Sequence, residues 1–104
     1  MRRFGQHAVL KDEMIETYTA LHAAVWPEVL EVIHACNLVN YSIYRSGREL
    51  FAYFEYAGSD YEADMRHMEQ SEVMQRWWTH TKPCFLHHDR QEYYTDWNEI
   101  FHLV

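Results

Sequence analysis

Apolar and polar positions change their spacing along this chain, and the changes mark out its elements. Residues 3–10 alternate, with Phe4, Ala8 and Leu10 on one side and His7 and Val9 on the other, which predicts a strand. Over residues 12–35 the period lengthens. Met14, Tyr18, Leu21 and Val25 follow one another at steps of 4, 3 and 4, the spacing of one helical face. Pro27 breaks that run, because inside a helix it loses a hydrogen bond and clashes with the preceding turn. It suits the first turn of a new helix, where its missing N–H is not needed. The pattern therefore predicts two helical pieces, 12–22 and 27–35, with an irregular joint at Ala23–Trp26.

Alternation returns over 38–45 and 49–57, two predicted strands joined by a turn at Ser46-Gly47. In the first, Val39, Tyr41 and Ile43 fall on one face and Leu38, Asn40, Ser42 and Tyr44 on the other. In the second, Phe51 and Tyr53 oppose Leu50, Ala52 and Phe54. Bulky groups on both faces predict a sheet that is covered on both sides. Ser59-Asp60-Tyr61-Glu62 has the form of a capping box with Ser59 at the N-cap. The helix after it uses Tyr61, Met65 and Met68, and Ser71-Glu72 restarts it through Thr81 with Met74, Trp77 and Trp78. Pro83 blocks continuation into Lys82–Asp96, a polar and aromatic connection, and Trp97–Val104 reads as a closing strand.

The order β-α-β-β-α-β predicts an α+β, ferredoxin-like domain over residues 1–104: a four-stranded antiparallel sheet with helices on one face. The other face still carries Tyr and Phe, so a second copy packed sheet to sheet is expected to cover it.

Composition narrows the functional classes. The 104 residues suffice for one compact domain, and a net charge of −7 argues against a phosphate-backbone partner. No apolar run approaches the roughly 20 residues that cross a bilayer, and the basic start Met1-Arg2-Arg3 lacks the apolar stretch of a signal peptide. Cys36 and Cys84 stand alone without metal spacing, which favours two buried thiols in a cytoplasmic protein.

The residue types that could do chemistry gather around Tyr18-Thr19-Ala20-Leu21-His22. Tyr18 and His22 are four apart and share a helical face. An imidazole titrates near neutrality, so His22 is the candidate for proton transfer; the alternative is a helix-end histidine that caps carbonyls or faces solvent. Tyr18 reads equally as a ligand-orienting phenol or a core tyrosine with a satisfied hydroxyl. Of Tyr41 and Tyr44, on opposite faces, one should meet the helices and the other the covered face. Trp77 and Trp78 point about 100° apart. They read either as one buried and one half-exposed indole, or as a wall on which the C–H face of a pyranose stacks. His87-His88-Asp89 lacks further ligands at metal spacing, so no metal is expected. Glu28 most simply serves the helix dipole. Glu99 is either a solvated strand-end charge or a second acid-base group.

Taken together, Tyr18-x-x-x-His22, Val25-Trp26-Pro27-Glu28, Asn40-Tyr41-Ser42-Ile43-Tyr44, Gln75-Arg76-Trp77-Trp78 and Glu99-Ile100-Phe101-His102-Leu103 resemble the L-rhamnose mutarotase family over nearly the whole chain. The resemblance implies a dimeric α/β-barrel, no cofactor, and interconversion of the α and β anomers of L-rhamnopyranose. It implies sugar contacts for Tyr18, Tyr41, Trp77 and Trp78, with His22 as the acid-base group. The chain departs from the family's pattern in two places. Ala23-Ala24 stands where some members carry Asn-Pro, and the connection Lys82–Asp96 has Phe85-Leu86-His87-His88 in place of a Pro/Asn-rich loop. Two other readings remain: a mutarotase for another sugar such as L-fucose, or a cofactor-free monooxygenase or isomerase on the same barrel acting on a flat aromatic. A third is a ligand-binding or dimerisation module without catalysis.

Overall fold

The computed structural model describes residues Met1–Val104. Its elements follow the order β1 (Arg2–Val9), α1 (Ile15–Ala23), α2 (Pro27–Ala35), β2 (Leu38–Ser46), β3 (Glu49–Tyr56), α3 (Tyr61–Gln70), α4 (Glu72–Thr81) and β4 (Thr95–Trp97). Short 3-10 turns fill Asp12–Met14, Lys82–Cys84 and His88–Arg90. The strands form one antiparallel sheet in the order β2-β3-β1-β4, the arrangement of the predicted α+β ferredoxin-like split.

Each helical piece starts where local chemistry allows it. Pro27 opens α2 at its first position, and the residues Ala24, Val25 and Trp26 before it lie outside both helices. α2 ends at Cys36 and is followed by Asn37 at φ 67°, a left-handed stop that an asparagine tolerates. Ser71 restarts the chain as α4, its Oγ accepting from the Met74 N–H at 3.4 Å. The start of α3 differs from expectation by one residue. Asp60, not Ser59, is the N-cap, and its carboxylate accepts from the Ala63 N–H at 3.1 Å. The Tyr56 hydroxyl accepts from the Asp60 N–H at 3.0 Å, which fixes Asp60 at the mouth of the helix.

The helix-facing side of the sheet is apolar. Leu50, Ala52, Phe54 and Tyr56 of β3 are all buried there. The core is split in two. Val29, Leu38, Phe54, Met68, Met74 and Trp77 belong to one cluster, while Leu10, Tyr18, Leu50, Cys84 and Phe85 belong to the other. The connection after α4 closes the second cluster. Its backbone pairs with the end of β1 through Leu86 N–H to Val9 O at 2.8 Å and Lys11 N–H to Cys84 O at 2.9 Å. Both cysteines are free and buried.

Two expectations about strands need correction. β2 does not alternate cleanly: between Val39 and Ser42 the register shifts, so Asn40 and Tyr41 together oppose Phe54. Asn40 takes up the extra residue at φ 50°, the left-handed geometry of a bulge. Leu38 and Tyr41, expected on opposite faces, therefore both point toward the helices. The closing strand is also shorter than Trp97–Val104. Only Thr95–Trp97 pairs with β1, with Gly5 opposite Trp97. In that register Asn98, Glu99 and Ile100 would face Phe4, Arg3 and Arg2 but form no ladder, and Glu99 meets Arg3 through an ion pair instead; only Phe101–Val104 run beyond β1. Ile100, Phe101 and Leu103 are exposed, as are Tyr44 and Trp97 on the side of the sheet away from the helices.

Candidate active site

The two core clusters do not quite meet, and His22 stands in the gap. It lies in the last turn of α1, stacked on Tyr18 at 4.2 Å and edge-on to Trp77 at 5.5 Å. Its Nδ1 lies 2.9 Å from the Tyr18 carbonyl oxygen. A carbonyl only accepts, so Nδ1 carries the proton and Nε2 keeps its lone pair. Burial holds the His22 pKa below its usual value, against the opposing pull of that carbonyl. The neutral tautomer, with an unprotonated Nε2, is thus the resting form at neutral pH.

A cavity of about 150 Å³ opens beside this ring, lined by Tyr18, Tyr41, Trp77, Trp78, Lys82 and Tyr94 among others. His22, Tyr41, Ile43, Trp77 and Trp78 also border a second, largely apolar cavity of about 480 Å³ that runs between α2, α3 and the sheet. All five residues singled out from sequence are therefore brought together. Tyr18 is 4 % exposed and reaches the cavity edge through its hydroxyl, 2.9 Å from that of Tyr94. Tyr41 keeps 39 % of its surface accessible, and the two cavities take it up, while its ring stacks on Phe54 at 5.1 Å. The bulge at Asn40 thus decides between the two phenols of β2. Tyr41 meets the helices, and Tyr44 lies on the far side at 64 % exposure.

The indoles divide as sequence allowed, yet both border the cavity. Trp77 is 5 % exposed and belongs to the core, edge-on to Trp26 at 5.2 Å. Trp78 is half-buried and carries the Lys82 ammonium 4.6 Å from its ring centroid. Burial raises the pKa of Tyr18, Tyr41 and Tyr94 above the usual phenol range, so all three stay protonated. No carboxylate lines the cavity.

Glu99 does not belong here. It forms an ion pair with Arg3 at 2.8 Å and lines a different hollow, with Phe51, Tyr53 and Trp97 on the opposite side of the sheet. Glu28 sits in the first turn of α2, as the dipole argument expected. His88 meets the Tyr93 hydroxyl at 3.3 Å, away from His22. Sequence reasoning did not single out Lys82, Tyr93 or Tyr94. The available signal was an adjacent pair of large aromatics in an otherwise polar connection.

The family model for L-rhamnose mutarotase matches residues 3–103. The chain belongs to the L-rhamnose mutarotase family. An L-rhamnose mutarotase of Bacillus subtilis strain 168 is 33% identical over 99% of this chain and 99% of its own length. Another, from Listeria monocytogenes serotype 4b, is 31% identical over 86% of each. A crystal structure of an L-rhamnose mutarotase from Formosa agariphila superposes with a TM-score of 0.80 at 19% identity, covering 100% of both chains, which shows the shared fold. In this member of the family, Tyr18, His22, Trp77 and Trp78 border one cavity.

Proposed function

We propose that this chain interconverts the α and β anomers of L-rhamnopyranose by acid-base ring opening and reclosure, with His22 as the base and Tyr18, Tyr41, Trp77 and Trp78 as the sugar-binding wall. One observation carries the reading: the His22 Nδ1–H is committed to the Tyr18 carbonyl, which leaves Nε2 as the acceptor beside a ring-sized cavity. Nε2 takes the proton of the anomeric hydroxyl, C1 becomes a carbonyl, and the C1–O5 bond breaks with its electron pair staying on O5, which takes up a proton from a general acid. Rotation about C1–C2 presents the other carbonyl face, and closure inverts C1. Positioned proton transfer of this kind contributes about 10²–10⁴-fold. The indole faces suit the C–H face of a pyranose, and phenol hydroxyls suit its oxygens.

The decisive experiment is saturation-transfer NMR between the two anomers, run on L-rhamnose, L-fucose and L-lyxose. The wild-type chain should accelerate exchange of L-rhamnose most, and His22→Ala should remove the acceleration while the fold persists. Unchanged exchange in that variant removes His22 from the mechanism.

The apolar cavity of about 480 Å³ favours a second reading, a cofactor-free monooxygenase or isomerase acting on a flat aromatic. Titration with a polycyclic phenol against tryptophan fluorescence tests it; tight phenol binding without sugar binding would replace the first reading.

The chain is proposed to act as a homodimer, paired through the sheet side that carries Tyr44, Phe51 and Trp97, since a large apolar face is otherwise left to solvent. Sedimentation equilibrium measures it, and a monomer at micromolar concentration would refute it. No helix is long and apolar enough to cross a membrane. A cytoplasmic site of action is proposed on the two free, buried thiols.

A further inference from the structure

Lys82 is the one lining residue that carries a full charge, and the mechanism above gives it no task. It opens the 3-10 turn after α4, where its side chain folds back over the helix end. Its Nζ lies 4.6 Å from the centroid of Trp78 and 4.9 Å from that of Tyr93. The ion pairs of the chain are Arg3–Glu99, His7–Glu49, Arg48–Asp12 and Arg90–Glu92, so Lys82 has no carboxylate partner. Two aromatic faces hold the ammonium in place. They cannot satisfy three N–H donors, which leaves donors for an oxygen-rich ligand. In a chain of net charge −7, this ammonium borders a cavity lined by no carboxylate and pairs with none.

We propose that Lys82 is the catalytic acid of the site, donating a proton from Nζ to the ring oxygen O5 while His22 Nε2 removes the proton of the anomeric hydroxyl. This rests on the anomer-exchange reading. As C1–O5 breaks, its electron pair goes to O5, which takes the Lys82 proton. The O1–H pair becomes the second bond of the carbonyl, and His22 becomes an imidazolium. On closure the neutral Lys82 amine takes the O5 proton back as O5 attacks C1, and His22 returns its proton to O1. No proton, electron or co-reactant is consumed. An ammonium also places positive charge where an alkoxide develops, which a phenol cannot do. The phenols are the rival donors. Burial makes Tyr18, Tyr41 and Tyr94 poorer acids than an ordinary phenol, and the Tyr18 hydroxyl is engaged with that of Tyr94.

The test begins with wild-type exchange on L-rhamnose; no acceleration there ends the anomer-exchange reading itself. Given an active wild type, kcat of Lys82→Met should fall at least about a hundredfold, the low end of proton-transfer effects, with sugar affinity within a few-fold. Methylammonium should restore part of the rate of Lys82→Ala. Lys82→Arg keeps the charge and the ring stacking but is a very weak acid, so its kcat should fall too. It also serves if the shorter variants fail to fold. Wild-type kcat in Lys82→Met or in Lys82→Arg, or a loss confined to KM, overturns the proposal.

Discussion

The hydroxyls of Tyr18 and Tyr94, 76 positions apart in sequence, lie 2.9 Å from each other in the wall of the smaller cavity. The bond ties α1 to the connection that follows α4, and each phenol is largely withdrawn from water. Tyr94→Phe leaves the Tyr18 hydroxyl without its partner, at a cost of about 1–3 kcal/mol. Tyr18→Phe should cost a similar amount. The double variant should lose at least about 0.5 kcal/mol less than the two added together, because the second change removes a group already orphaned. Urea unfolding of the four proteins measures this; strict additivity would mean that the two hydroxyls do not interact.

The His22 environment sets the direction of the pH response. In an unfolded chain its imidazole titrates near 6.5, and burial lowers the folded value. Between those two values the unfolded state holds more protons, so stability rises with pH across the window. The contribution is complete above about 6.5 and is lost as pH falls through the folded value. Exchange catalysis needs the unprotonated Nε2, so it should decline only at pH values below 6.5 once the uncatalysed rate is subtracted. Saturation-transfer rates against pH check this. An acid limb at or above 6.5 would assign it to another group.

Asn40 should matter to the site through its backbone; its side chain donates to Glu55 Oε1 at 2.6 Å, a bond that valine and glycine lose alike. At φ 50° a β-branched residue is strained by about 1–2 kcal/mol, whereas glycine is not. Asn40→Val is therefore expected to destabilise the chain and weaken sugar binding by misdirecting Tyr41, while Asn40→Gly keeps binding near wild type. Fluorescence titration with L-rhamnose, alongside unfolding curves, separates the two. Equal behaviour of the two variants would detach the bulge from the site.

The two indoles should fail differently. Trp77 lies in the core, so Trp77→Ala is expected to cost about 3–5 kcal/mol and to lower the melting temperature sharply. Trp78 is half-buried, so Trp78→Ala should cost less stability and show its effect mainly as weaker sugar affinity. Thermal melts and fluorescence titrations distinguish the outcomes; matching losses of stability in both variants would make Trp78 a core residue as well.

Much of the architecture was legible because periodicity reports burial. The break at Pro27 and the restart at Ser71 each correspond to an observed element boundary, whereas the 4-3-4 run from Met14 to Val25 overreaches α1 at both ends, Met14 and Tyr18 serving one core cluster and Leu21 and Val25 the other. Alternation failed at β2 because one left-handed residue resets the count, and an asparagine in a strand is only a weak sign of that. The extent of β4 failed for a different reason. Trp97–Val104 has the composition of a strand, but its pairing stops at Trp97 opposite Gly5 while β1 runs on to Arg2, and composition does not encode that stop. At the site, Tyr18 and His22 were readable because they share a helix. Tyr94 and Lys82 were not, since their place depends on how residues 84–86 dock beside Val9 and Lys11.

The carboxylate-free lining around Lys82 has a practical consequence for inhibition. Ligands that carry their own negative charge are met by a cation and by no opposing anion. The open-chain aldonate of the same sugar should be retained better than its neutral alditol, and salt should erase the difference. Such acids are the natural starting scaffolds for a competitive blocker.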